Sequence, residues 1–208
     1  MIIIITGGTH TGKTIYAQKL LEKLHYPYLS VDHLKMGLIR SGYCSLTPGS
    51  GASALTEYLW PVVREIIKTA IENKQNLIVE GCYIPFQFQE DFSPGYLQEI
   101  RFRCLVFSRR YIQNHFDDIV KHACGIENRI CDDLYKEDML KENLVYLTGC
   151  KEYGLEHALI DDTHETERYR LPFLGLLLVA TINPFSPIHP HLIANYLNLL
   201  RHAFSAHS

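Results

Sequence analysis

The residues that most constrain this chain are Gly7 to Thr14, which read GGTHTGKT and directly follow an apolar run. They match the pattern G-x-x-x-x-G-K-[ST] in full, and this pattern joins a buried strand to a helix. Both flanks agree, because Ile2 to Thr6 is apolar and β-branched and Thr14 to Leu24 has helical apolar spacing. We therefore predict a phosphate-binding loop composed of Gly7, Gly8, Thr9, His10, Thr11, Gly12, Lys13 and Thr14.

The residue types in this loop suit a nucleoside triphosphate. Glycine permits backbone conformations in which successive N–H groups point at phosphate oxygens, and the following helix adds its positive end. Lys13 is expected to reach the β and γ phosphates, Thr14 to hold Mg²⁺ through its hydroxyl, and His10 to lie over the nucleotide. We expect ATP and Mg²⁺ as cofactors. Selection of guanine nucleotides requires an N-K-x-D motif. Asn73 and Lys74 are followed by Gln and Asn, so this motif is incomplete and guanine selection is disfavoured.

Strand and helix patterns alternate along the chain. Helical patterns separate the strands, and a Gly-, Ser- and Pro-rich loop at Ser41 to Ser53 precedes a long helix at Ala54 to Asn73. This alternation predicts an α/β fold with a parallel sheet and right-handed crossovers. The five predicted strands are 2–6, 26–31, 76–79, 105–107 with its flanks, and 157–160.

Composition narrows the class of protein. The chain has 208 residues, 47% of them hydrophobic and 21% charged, and a formal charge of −3, which argues against a general nucleic-acid binder. The apolar stretch from Leu171 to Phe185 is interrupted by Pro172 and Pro184, so no membrane partner is expected. Six cysteines without a C-x-x-C pair indicate reduced thiols. We expect a soluble, cytoplasmic protein.

The composition changes after residue 170. Residues 171–191 contain four prolines and, apart from histidines, no charged side chain. We predict a main domain over 1–170 and an extension over 171–208 that packs on it, with a homodimer contact as the alternative. A metal site at His189 and His191 is disfavoured, because no carboxylate or cysteine lies at ligand spacing.

Four features together resemble a known family. They are the loop just after Met1, Asp32 after the second strand (SVDHLKMGL), the Glu80-Gly81 pair ending the third (LIVEG), and a charged lid over about 109–143. Over about residues 1–165 the chain resembles the small-molecule kinases related to adenylate and shikimate kinases. The resemblance implies a P-loop NTPase fold, a three-layer α/β sandwich whose five-stranded parallel sheet has the order 2-3-1-4-5, with a helical lid.

The resemblance also implies roles for side chains around the cleft. Phosphoryl transfer needs a carboxylate to orient or deprotonate the acceptor hydroxyl, and Asp32 is the candidate, with a helix-capping role compatible. Glu80 is expected to hold Mg²⁺ and to face the acceptor. Arg40, by binding an anionic group, and Tyr83, by lining the pocket, are further candidates for the acceptor site.

A lid arginine is expected to stabilise charge on the transferred phosphate. Arg129 is preferred, with Arg109 and Arg110 as alternatives. The lid lacks the closely spaced arginine pair of adenylate kinases, which disfavours a nucleoside monophosphate acceptor. The sequence thus predicts an ATP-dependent phosphotransferase that moves the γ-phosphate to a small-molecule alcohol or phosphate. The alternative is a nucleotide-binding regulatory or switch ATPase without such an acceptor.

Overall fold

The computed structural model describes residues 1–122 and 134–161. The chain divides into two units, Met1–Arg168 and Tyr169–Ser208, and all described residues belong to the first. The predicted extension over 171–208 and the preferred lid residue Arg129 lie outside the described residues, so both remain predictions.

A five-stranded parallel sheet forms the centre of the first unit. β1 has no exposed residue, as expected for a strand covered on both faces. The strand order is β2-β3-β1-β4-β5 and every pairing is parallel, so the predicted α/β sheet and its order are confirmed. The strands are β1 (Ile2–Gly7), β2 (Tyr28–Ser30), β3 (Leu77–Glu80), β4 (Ile100–Phe107) and β5 (His157–Ile160).

Helices connect successive strands, and α3 shows why they pack on the sheet. Its buried residues recur at intervals of three or four, so one face of the helix is apolar along its length. No helix within 1–122 or 134–161 is long and apolar enough to cross a membrane. The helices are α1 (Lys13–Leu24), α2 (Val31–Arg40), α3 (Ala52–Glu72), α4 (Pro94–Gln98), α5 (Arg109–His122) and α6 (Lys136–Glu152), with a 3₁₀ turn at Phe88–Asp91.

The start of α2 differs from the prediction. The preceding strand ends at Ser30, whose hydroxyl oxygen accepts a hydrogen bond from the His33 backbone N–H at 3.3 Å. Ser30 is therefore the helix cap, and the capping role considered for Asp32 is wrong, because Asp32 already lies in the first turn. The Asp32 carboxylate is thus available for contacts at the sheet edge.

Candidate active site

The phosphate loop joins β1 to α1 and depends on its glycines. Gly7 and Gly12 have φ values of +136° and +85°, a region that favours glycine. A Cβ atom at Gly7 would also collide with the carbonyl oxygen of Leu105. The Thr11 hydroxyl donates to the carbonyl oxygen of Gly8 at 2.7 Å and ties the loop together.

Lys13 is the cation at the centre of the loop. Its Nζ atom is buried and donates to the carbonyl oxygen of Gly8 at 2.8 Å. Burial works to lower the pKa of Lys13, but Cys82 and the Glu80 and Glu142 carboxylates more than offset it, so the pKa is raised. The ammonium therefore stays protonated and can attract phosphate.

The two residues predicted to hold Mg²⁺ lie together. Glu80, only 2% exposed, ends β3, and its carboxylate accepts from the Thr14 hydroxyl at 3.5 Å and the Tyr28 hydroxyl at 2.7 Å. A carboxylate and a hydroxyl are hard oxygen ligands, which suits Mg²⁺, and this ion usually completes its shell with water and substrate phosphates. Over 1–122 and 134–161, no cluster of three or more His, Cys, Asp or Glu side chains could hold a metal ion by itself. The pair therefore fits a magnesium ion that is shared with a nucleotide.

Asp32 and Tyr83 are joined by Lys35, which the sequence analysis missed. Lys35 Nζ donates to Asp32 Oδ1 at 2.7 Å and to the Tyr83 hydroxyl at 2.9 Å, and it lies 4.9 Å from the Tyr83 ring centroid. Burial works to lower the Lys35 pKa, but its bonds to Asp32 and Tyr83 raise it above the usual value. The only signal in the sequence was the i,i+3 spacing of the acid and the base on one helix.

The strand register brings the two groups of residues to one edge of the sheet, because Glu80 lies opposite Ile5 of β1 and opposite Ser30 of β2. The charges of Lys13, Asp32 and Glu142 all act on the pKa of the Cys82 thiol, two residues after Glu80. Burial is the main cause of its raised pKa, and the two carboxylates raise the pKa further. The charges of Lys13, Asp32 and Glu142 therefore act on one side chain just after the carboxyl end of β3.

Helix α6 contributes two residues that the sequence analysis also missed. Both carboxylate oxygens of Glu142 accept hydrogen bonds from Thr9, one from its backbone N–H and one from its hydroxyl, each at 2.8 Å. The next residue, the buried Asn143, accepts from the Phe107 backbone N–H at 2.8 Å, and a Cβ atom on Gly8 would lie only 2.8 Å from its Oδ1. The phosphate loop is therefore bounded by α6 as well as by the sheet.

The predicted arginines lie in different places. Arg40 is exposed at the last position of α2, about 12 Å along the helix axis from Asp32. The Arg110 guanidinium pairs with the Asp161 carboxylate at 2.8 Å, just beyond β5. Arg109 is exposed at the first position of α5, and Arg129 lies outside the described residues. The role of a lid arginine remains a prediction.

Comparison with known proteins adds evidence on the fold. No family model and no curated protein sequence matches this chain. A putative kinase from Chloroflexus aurantiacus superimposes with a TM-score of 0.50 at 16% identity, over 86% of this chain and 92% of that one. A gluconokinase from Sinorhizobium meliloti superimposes with a TM-score of 0.45 at 16% identity, over 86% of this chain and 92% of that one. A shikimate kinase from Bacteroides thetaiotaomicron superimposes with a TM-score of 0.47 at 14% identity, over 81% of this chain and 92% of that one.

These likenesses concern the fold, since the identities are low. The phosphate loop, the strand order and the superposition at 0.50 together define a P-loop NTPase fold. The resemblance to the adenylate and shikimate kinase-like group that the sequence predicted is thereby confirmed at the level of the fold.

Proposed function

We propose that this protein is an ATP- and Mg²⁺-dependent phosphotransferase that moves the γ-phosphate to a small-molecule alcohol or phosphate. One observation carries the proposal. Glu80, which accepts from Thr14 of the phosphate loop at 3.5 Å, lies opposite Ser30, two residues before Asp32, the candidate base. A nucleotide on the loop and an acceptor beside Asp32 would therefore meet at the same edge of the sheet.

The nucleotide half of the proposal uses the loop, Lys13, Thr14 and Glu80. The loop N–H groups and the N-terminus of α1 attract the phosphates, and the protonated Lys13 neutralises charge on the β and γ phosphates. Mg²⁺, held by Thr14 and Glu80, would supply further neutralisation of the phosphate oxygens. The buried position of Glu80 keeps its carboxylate fixed for this task.

The acceptor half uses Asp32, Lys35 and Tyr83. The Asp32 carboxylate orients the acceptor hydroxyl and takes its proton as the oxygen attacks the γ-phosphorus. The new P–O bond forms while the bond from the γ-phosphorus to its bridging oxygen breaks, so ADP leaves with the electron pair. Lys35 holds Asp32 in place through its 2.7 Å bond.

Acceptor-dependent ATP consumption tests this proposal. ATP turnover would be followed with a panel of hydroxylated and phosphorylated metabolites for the unaltered chain and for Asp32→Asn. We expect at least one acceptor to stimulate turnover, and Asp32→Asn to lose about 100-fold of that stimulation while still binding ATP. The matched control is Asp138→Asn, because Asp138 forms the same i,i+3 pair with Lys141 at 3.3 Å, but on the surface.

Two results would count against the proposal. Full stimulation in Asp32→Asn would remove that residue from the chemistry. If no acceptor stimulates turnover but ATP changes the affinity for a protein partner, the alternative of a regulatory or switch ATPase would be supported instead.

A further inference from the structure

The contact between Glu142 and Thr9 places an anion on the phosphate loop. Both carboxylate oxygens are engaged at 2.8 Å, by the backbone N–H and the hydroxyl of a single loop residue. This is the geometry with which such a loop would bind a phosphate, since N–H and hydroxyl donors converge on two oxygens of one anionic group. Glu142 therefore occupies donors that the loop offers to a ligand.

The charge of Glu142 also acts on Lys13. Burial works to lower the Lys13 pKa, whereas Cys82, Glu80 and Glu142 raise it. The Glu142 carboxylate thus lies within electrostatic range of the ammonium that is expected to reach the β and γ phosphates. A terminal phosphate at this position and an ionised Glu142 would repel each other.

The backbone of α6 is fixed next to this contact. Asn143 is 2% exposed, and its side chain bonds both the Phe107 N–H at 2.8 Å and the Met139 carbonyl oxygen at 2.9 Å. Glu142 itself is half-buried and has several rotatable bonds. Its carboxylate can therefore leave Thr9 by rotation of the side chain while the helix stays in place.

We propose that Glu142 is a nucleotide-selecting residue that stands in for the terminal phosphate when the site is empty. The γ-phosphate of ATP and the Glu142 carboxylate compete for the Thr9 donors, so ATP binds only when Glu142 leaves them. ADP has no γ-phosphate and leaves the contact intact. Glu142 thereby reduces the preference of the site for ATP over ADP. This inference rests on the proposed nucleotide site.

Calorimetric titration with ATP and ADP, each with and without Mg²⁺, tests the inference. Glu142→Gln removes the charge and retains the size of the side chain. We expect it to tighten ATP binding by about tenfold, equivalent to about 1.4 kcal/mol, and to change ADP binding by less than about twofold. Glu142→Ala, which removes the carboxylate altogether, should give the same ranking if the glutamine variant folds poorly. The control is Glu152→Gln, an exposed glutamate at the C-terminal end of α6.

Three results would overturn the inference while leaving the nucleotide site in place. The first is an ATP affinity that Glu142→Gln leaves unchanged, and the second is an equal change for ATP and ADP. The third is weaker ATP binding only when Mg²⁺ is present, which would make Glu142 a metal ligand. If the unaltered chain bound neither nucleotide, the nucleotide site itself would be refuted, and the inference with it.

Discussion

Asn143 provides a sensitive test of how α6 is held against the phosphate loop. Its Oδ1 atom accepts from the Phe107 backbone N–H at 2.8 Å, in a buried environment at the end of β4. Replacing Asn143 with alanine leaves that N–H without this partner, at a cost of about 1–3 kcal/mol, because water cannot readily replace it. The lost contacts of the side chain add to this cost. We expect the free energy of unfolding to fall by about 2–3 kcal/mol, and the melting temperature by roughly 4–12 °C.

The chain offers a closely matched control. Asn73 Nδ2 donates to the Thr69 carbonyl oxygen at 3.0 Å, and Asn143 Nδ2 donates to that of Met139 at 2.9 Å, so both bonds span four residues. Asn73, however, is exposed at the end of α3. Asn73→Ala should therefore cost less than about 0.5 kcal/mol.

Urea unfolding of the two variants, followed by circular dichroism, measures the difference. The variant at Asn143 should lose at least about 1.5 kcal/mol more than the variant at Asn73. Equal losses would show that the buried bond to Phe107 contributes nothing, and would refute the reasoning that fixes α6 beside the loop.

Three further predictions concern the buried polar groups. Tyr28→Phe removes the 2.7 Å hydrogen bond to Glu80 and should lower the free energy of unfolding, measured with urea, by about 1.5–3 kcal/mol. A loss under about 0.5 kcal/mol would show that this bond does not stabilise the protein. Lys35→Met removes the 2.7 Å bond that holds Asp32 and should lower acceptor-dependent kcat about tenfold, while Lys141→Met, on the exposed pair, should leave kcat unchanged. Burial raises the pKa of Tyr16 from 10.0 to about 12, so the folded state keeps a proton that the unfolded state loses. Tyr16 should therefore contribute about 2 kcal/mol to the loss of stability between pH 10 and pH 12, and the loss in Tyr16→Phe, titrated with urea at both pH values, should be smaller by about that amount.

The sequence was sufficient to predict the local features of the candidate site. The loop motif lies between a strand and a helix that the sequence also predicts. Asp32 follows β2 and Glu80 ends β3, and the carboxyl ends of these strands meet at one edge of the sheet. Lys35 was missed because an i,i+3 acid and base on a helix is usually a solvated surface pair. This pair is instead largely buried, and Tyr83 contacts Lys35 through its hydroxyl and its ring.

Contacts from distant elements could not be inferred. Glu142 lies 133 positions from Thr9, and their contact depends on the position and rotation of α6, which hydrophobic periodicity does not define. The start of β4 was also missed, because Arg101 and Arg103 interrupt its apolar run. Ile100 and Phe102 are buried, whereas the two arginines are only partly buried. Buried and partly exposed side chains therefore alternate at the start of the strand.

Transfer of labelled phosphate tests the central claim most directly. The chain would be incubated with Mg²⁺, ATP labelled at the γ-phosphate and the metabolite panel, and the label would then be followed by mass spectrometry. The account predicts label covalently bound to an acceptor oxygen, with ADP as the other product, and loss of this product in Lys13→Met. Label that appears only as inorganic phosphate whichever acceptor is added, or transfer that Lys13→Met leaves unchanged, would contradict it.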